Sequence, residues 1–178
     1  MPFLIGILGL LAAAGFWAWR IRNAAHVSRD LADMAGDVVS AARRLGFRRR
    51  ANIHPVESVE EPELAIAALG VAFMELSALP NQEQHQALSR SLQQNCDVSA
   101  TRADELMIVG RWLVSECKGP QSAIPRLTKR LYRLDQTGFQ TLLAVLNDVG
   151  QSATGQSADG LSPRQRDALE EIARIMRI

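Results

Sequence analysis

An uninterrupted apolar run from Pro2 to Trp19 contains no charged residue. As a helix, these eighteen residues would measure about 27 Å, which is close to the hydrocarbon thickness of a bilayer. Trp17 and Trp19 stand at the end of the run, where aromatic rings favour the membrane interface. Arg20 and Arg22 follow, and their side chains can reach the lipid headgroups. The pattern predicts a transmembrane helix over residues 1–22.

Two other interpretations compete for this segment. A cleaved signal peptide is one, since Ala12–Ala14 resembles a cleavage site, but the basic region that normally precedes such a peptide is missing. A buried core helix is the other, although a helix that is apolar on every face fits that role poorly here. Gly6, Gly9 and Ala13 share one face of the predicted span. They would allow a second span to approach closely, or they reflect the general abundance of glycine in membrane helices.

A narrow apolar seam follows the predicted span over residues 23–50. It predicts an amphipathic juxtamembrane helix, and its members recur at intervals of three and four: Val27, Leu31, Met34, Val38, Ala41 and Leu45. The seam would pair with a second copy or pack on the domain that follows. Arg48, Arg49 and Arg50 then form a basic run. Such a run would bind anionic lipid at about 1 kcal/mol per charge, or would be a solvated loop.

Residues 51–61 are interpreted as a linker, and residues 62–178 as a helical domain. Helical spacing and helix-start signals dominate this region, with no competing strand pattern. Asn81 and Gln84 predict a capping box, and Ser99 and Asp135 are predicted to cap later helices. The fold class is therefore predicted as all-α, with an N-terminal transmembrane helix and a compact bundle of about five to seven helices.

The charge distribution predicts an orientation for the span. Residues 20–50 carry eight arginines and three aspartates, a net charge of +5, whereas residues 51–178 carry 12 basic and 16 acidic residues, a net charge of −4. Positive charge stays on the cytoplasmic side, so the N-terminus is expected outside and the C-terminal domain in the cytoplasm. Nucleic-acid binding is not expected, because it needs a dominant basic surface.

Nothing in the sequence predicts catalysis. Cys96 and Cys117 are too few for a disulfide framework or a thiolate zinc site, and are interpreted as reduced thiols. His26, His54 and His85 lie on separate segments without ligand spacing or a nucleophile beside them. We therefore expect no enzyme activity, no cofactor and no small-molecule substrate.

The region from Pro62 onward resembles the TerB-like family, the helical fold of the tellurite-resistance protein TerB and of the N-terminal half of the DjlA membrane co-chaperones. The resemblance is carried by helix patterns and one short motif: Glu63–Leu76, Ala103–Leu106, Arg111–Leu113, Leu127–Leu131, Gly138–Leu146 and Ala158–Pro163. The N-terminal span also resembles the DjlA arrangement, but the J domain is missing. The resemblance implies a helical fold at the bacterial inner (plasma) membrane and a role in stress response or protein quality control.

Members of this family typically carry two acidic Asp-Gly turns that are associated with metal binding. Here the first turn has become Ser77-Ala78 with Glu75 nearby, and the second is present as Asp159-Gly160. The resemblance thus implies a degenerate site in which Asp159 is the one clear metal ligand, and hard cations need several oxygen ligands. An ordinary turn is the alternative.

These patterns favour a non-enzymatic, membrane-anchored interaction or scaffold protein with a cytosolic TerB-like domain. The expected partners are membrane lipid and unidentified proteins, with self-association as a further expectation from the glycine face. The alternative is a divalent-metal or envelope-stress sensor that uses the remaining acidic turn.

Overall fold

A computed structural model describes residues 36–77, 81–152 and 161–176, and the chain divides into two compact units, Met1–Val39 and Ser40–Ile178. The described residues are helical or irregular, without a strand, so the all-α prediction is confirmed for this part of the chain. The elements are α1 (described over residues 36–44), a 3₁₀ helix (Pro55–Ser58), α2 (Pro62–Glu75), α3 (Gln82–Asn95), α4 (Ala100–Glu116), α5 (Pro120–Leu134), α6 (Phe139–Gln151) and α7 (Pro163–Met176).

The predicted transmembrane helix over residues 1–22 lies outside the described residues. Among the residues that are described, no helix combines the length and the apolar character needed to cross a membrane.

Local sequence signals set most helix starts where they were predicted. The Asn81 side chain accepts from the Gln84 backbone N–H at 2.8 Å, and the Gln84 side chain accepts from the Asn81 N–H at 3.2 Å, which completes the capping box of α3. Ser99 caps α4 through the Arg102 N–H, as predicted. The prediction for Asp135 is wrong. Its carboxylate accepts from the backbone and hydroxyl of Thr137 instead, and α6 begins after Gly138 without a side-chain cap.

Helix α2 is the centre of the second unit. Every residue from Leu64 to Met74 is buried, and the helix contacts α3, α4, α5 and α6. A helix that is apolar on every face has no side suited to water, so it is stable only when other helices cover it on all sides. The nearly all-apolar sequence of this helix predicts a central one, and its burial and its contacts with four other helices confirm it.

Small residues let α2 and α4 approach closely. A Cβ atom at Gly110 of α4 would lie 3.0 Å from the Ala68 Cα and 3.1 Å from the Ala68 nitrogen. Such contacts with backbone atoms are tighter than normal packing allows, so this crossing has no room for a larger residue.

Side chains at the start of α7 and just after α2 satisfy the C-terminal carbonyl groups of α2. The Gln165 amide donates to the Phe73 carbonyl at 3.1 Å, and the Ser162 hydroxyl donates to the Leu76 carbonyl at 3.0 Å. Ser77 donates to the Met74 carbonyl at 2.7 Å. The last carbonyls of a helix have no partner within the helix, and leaving them unpaired in a core is costly. The start of α7 is therefore fixed to the end of α2.

Residues 40–61 contribute to the same core. Ala41 and Leu45, at the end of the predicted juxtamembrane seam, are buried in it. Val56 and Val59 are fully buried, although residues 51–61 were interpreted as a linker. The Val59 carbonyl accepts from the Arg130 Nε at 2.6 Å, which joins this segment to α5. The described end of the seam therefore packs within the compact unit that begins at Ser40.

Candidate functional site

Several residues predicted to have a function lie outside the described part of the chain. These are the interface residues, the close-approach face and the metal candidate: Trp17, Trp19, Arg20, Arg22, Gly6, Gly9, Ala13 and Asp159. The basic run is described. Arg48, Arg49 and Arg50 are exposed, and Arg50 forms an ion pair with Glu60 while its backbone N–H donates to Ser58. An ion pair with Glu60 offsets one of the three charges of the run.

Glu75 stands where the first acidic turn of the resemblance would begin. Burial raises the pKa of its carboxyl above the ordinary value, and the positive charge of Arg111 offsets only part of this rise. A guanidinium near this carboxylate would oppose a metal cation by charge repulsion. Within the described ranges, no group of three or more His, Cys, Asp or Glu side chains is arranged to hold a metal ion. Asp159, the metal ligand that the resemblance implies, lies outside these ranges.

The histidine and cysteine side chains of the described residues lie in different environments. His54 caps the 3₁₀ helix, since its Nδ1 accepts from the Val56 N–H and its Nε2 lies 3.3 Å from the Glu116 carbonyl oxygen. Burial, then the charge of Arg111, lowers the pKa of His85. Burial raises the pKa of the Cys96 thiol to about 11 and also raises that of Cys117. Both thiols are free and stay protonated at neutral pH.

An apolar groove, hereafter the α6–α7 groove, opens between the last two helices. Its volume is about 290 Å³, and its lining is Phe139, Leu142, Leu143, Leu146, Leu169, Glu170, Ile172 and Ala173. Leu142, Leu146 and Ile172 are buried and form its floor, whereas the remaining apolar residues are half-buried at its edges. The exposed Glu170 is the only charged side chain in the lining.

A second concavity, hereafter the α5 cleft, is polar and basic. It lies between α5, the end of α4 and the segment around the 3₁₀ helix, and its volume is about 610 Å³. Its lining contains four cationic and two acidic side chains: Lys118, Arg126, Lys129, Arg133, Glu57 and Glu116. Arg133 pairs with Glu57 at 2.9 Å. Among the described residues, Lys118, Arg126 and Lys129 form no ion pair.

The backbone between α4 and α5 places Lys118 at the cleft in an unusual conformation. Lys118 has a φ of 64° and Gly119 a φ of 116°. The Gly119 N–H donates to the Val114 carbonyl and the Lys118 N–H to the Ser115 carbonyl, at 3.1 and 2.9 Å. These two bonds form a Schellman motif, in which the left-handed position is usually glycine. Here a lysine occupies it.

The sequence analysis predicted neither the α6–α7 groove nor the α5 cleft, although the sequence of α5 contains part of the signal for the cleft. Helix α5 carries four basic residues and no acidic one, and three of them, Arg126, Lys129 and Arg133, share one face at intervals of three and four. Only the fold shows that Lys118, from the preceding turn, joins them.

Comparisons with known proteins do not assign the chain to a family. No protein-family model matches the chain, and neither a curated protein nor a solved structure is significantly similar to it.

Proposed function

We propose that this chain is a non-enzymatic interaction protein, anchored in a membrane by residues 1–22, whose TerB-like helical domain binds a partner protein on the cytoplasmic side. The observation that carries the binding role is the α6–α7 groove, which exposes apolar side chains of two helices next to each other. The apolar run that ends at Trp19 and the arginines that follow support the anchor. By its resemblance, the role is that of a scaffold in stress response or protein quality control.

The dimensions of the groove suit an amphipathic helix. Its α6 side runs from Phe139 to Leu146, which is about 10.5 Å at 1.5 Å per residue. A partner helix laid along this length would place two or three apolar side chains, spaced three or four residues apart, on the floor formed by Leu142, Leu146 and Ile172. The buried floor and half-buried edges provide the shape that excludes water around such anchors.

Charge defines the second property of the partner helix. Glu170 is exposed at the edge of the groove and has no ion pair among the described residues. A lysine or arginine beside the apolar face of the partner would lie close to this carboxylate. An edge charge of this kind contributes mainly to partner choice and association rate. The expected occupant is therefore an amphipathic helix with a basic edge, from a different protein.

The test is photo-crosslinking in membranes with a photoreactive amino acid in place of Leu143, which is half-buried at the edge. The matched control carries the same amino acid at Thr101, an exposed position on α4. We expect a crosslink from position 143 and none to the same protein from position 101. Mass spectrometry of the product should locate the crosslink in an amphipathic helix with a basic residue beside its apolar face.

Two further variants make the result specific. Ala173→Arg places a long side chain in the groove without removing a core residue, and should abolish the crosslink. Glu170→Lys should weaken it, and replacing the basic residue of the partner by glutamate should restore it. A crosslink to a second copy of this chain, or a product that survives Ala173→Arg, would contradict the proposal.

A further inference from the structure

We propose that the α5 cleft is a binding site for a phosphate-bearing anion, with Lys118, Arg126 and Lys129 as its recognising groups. This inference concerns a different surface from the α6–α7 groove and goes beyond the binding of a partner protein. The inference depends on the α5 cleft alone. A negative result for the cleft would therefore not affect the proposal for the α6–α7 groove, and the reverse also holds.

The balance of charge in the cleft favours an anion. Glu57 is already paired with Arg133, which leaves three cations and the exposed Glu116. His54 adds no free donor, because its two ring nitrogens face the Val56 N–H and the Glu116 carbonyl. The net charge of the groups that form no ion pair is thus +2. It lies in a concave surface, where field lines from like charges concentrate.

The use of lysine in the chain is confined to this cleft. Lys118 and Lys129 are the only two lysines in the sequence, and both line the cleft, whereas every other basic residue is an arginine. A lysine ammonium is a compact charge with three donors, and is well suited to phosphate oxygens. Arg126 adds a planar group that can donate two parallel hydrogen bonds to a phosphate.

The start of α5 adds to the same potential. Gly119 is the N-cap of α5 and provides no side-chain hydrogen bond to its first turn, and Ser122 of that turn lines the cleft. The positive end of the helix dipole therefore favours an anion beside the three cations. The volume of about 610 Å³ admits a phosphorylated headgroup or a soluble phosphate compound rather than one ion alone.

The two lysines also provide the measurement. The full chain, purified in a nonionic detergent, is treated with an amine-acetylating reagent, and modification of Lys118, Lys129 and the N-terminal amine is followed by mass spectrometry. Inorganic pyrophosphate is the probe, and sodium chloride keeps the ionic strength constant. We expect pyrophosphate to slow acetylation of both lysines several-fold and to leave the N-terminal amine unchanged.

Variants separate a defined site from general charge screening. Lys118→Gly and Arg126→Gln should each raise the pyrophosphate concentration that gives half-maximal protection of Lys129 about tenfold, the effect of one charge-assisted hydrogen bond. Arg90→Gln is the matched control, since Arg90 is an exposed arginine on α3 that lies outside the cleft. Lys118→Gly also guards against unfolding, because glycine suits the left-handed position. Equal loss in Arg90→Gln, or no protection in the unaltered chain, would overturn the proposal.

A second arm identifies the source of the phosphate. The full chain is placed in phosphatidylcholine nanodiscs with phosphatidic acid, with phosphatidylserine or with neither. Protection of both lysines by phosphatidic acid without pyrophosphate would assign the site to a lipid headgroup. Protection by pyrophosphate in all three discs, with none from the lipids alone, would assign it to a soluble anion. Equal protection by phosphatidylserine and phosphatidic acid would reduce the effect to surface charge and refute a phosphate site.

Discussion

At the scale of single residues, Lys118 adopts a backbone conformation that its residue type disfavours. Lys118 adopts a left-handed backbone conformation that costs a non-glycine residue roughly 1–3 kcal/mol. The bonds of the Schellman motif that ends α4 impose it, because they require this conformation whichever residue stands there. The side chain is exposed, so packing does not offset the cost. A cation at the α5 cleft is what this position provides.

Replacement of Lys118 by glycine should therefore stabilise the domain. We expect the free energy of unfolding to rise by about 0.5–1 kcal/mol, since glycine reaches a positive φ without steric strain. Chemical denaturation of the full chain in detergent, followed by circular dichroism, measures the change. Lys129→Gly is the matched control in the interior of α5, where glycine should lower stability by about 1 kcal/mol. A loss of stability in both variants would contradict the assigned backbone strain.

The thiol of Cys96 should resist alkylation in the folded chain. A pKa of about 11, against an ordinary value of 9.0, lowers the thiolate fraction at neutral pH about a hundredfold. Iodoacetamide labelling followed by mass spectrometry should thus show slow modification of Cys96 in the native chain and faster modification in denaturant. Comparable rates in the two states would count against its burial.

The same shift predicts a pH dependence with a defined sign. Folding raises the pKa of Cys96, so the folded state favours the protonated thiol. The resulting stabilisation is complete below pH 9 and is lost as the pH rises through about 11. Cys96→Ser removes this titration, and the variant should lose less stability than the unaltered chain over that range.

At the scale of elements, the close crossing of α2 and α4 is the most sensitive contact. Gly110→Ala would place a methyl group 3.0 Å from the Ala68 backbone, which cannot move without shifting α2. We expect a loss of about 1–3 kcal/mol despite the better helix propensity of alanine. Gly70→Ala is the comparison, because its methyl group would meet the flexible Leu88 side chain. Thermal unfolding should show the larger loss for Gly110→Ala, and the reverse order would refute the close backbone contact.

Several features of the helices could be predicted from the sequence alone. Capping at Asn81 and Ser99 and the nearly all-apolar sequence of α2 are local signals, and each predicted what is observed. Asp135 misled because a carboxylate before a helix can bind a nearby backbone group, here that of Thr137, without capping. Both candidate surfaces depend on residues from separate elements, such as Leu143 with Leu169 and Lys118 with Lys129. Tertiary packing brings these residues together, so no local sequence pattern predicts either surface.

At the scale of the whole molecule, the proposed anchor makes a prediction about location. Deleting residues 2–22 should move the chain from the membrane fraction to the soluble fraction, because the remaining sequence has no second apolar run of that length. A reporter fused after Ile178 should be active on the cytoplasmic side, since the net charge of +5 over residues 20–50 follows the span. Reporter activity on the opposite side of the membrane would reverse the proposed topology.

The fixed junction between α2 and α7 has a consequence for biosynthesis. The hydrogen bonds from Gln165 to Phe73 and from Ser162 to Leu76 join positions about 90 residues apart. A ribosome makes α2 first, and then needs several seconds to reach α7 at roughly 5–20 residues per second. During that interval the Phe73 and Leu76 carbonyls at the end of α2 lack the donors that Gln165 and Ser162 provide. The C-terminal end of α2 should therefore be completed only when the last helix emerges, and any truncation before Ser162 should leave the Phe73 and Leu76 carbonyls without these two donors.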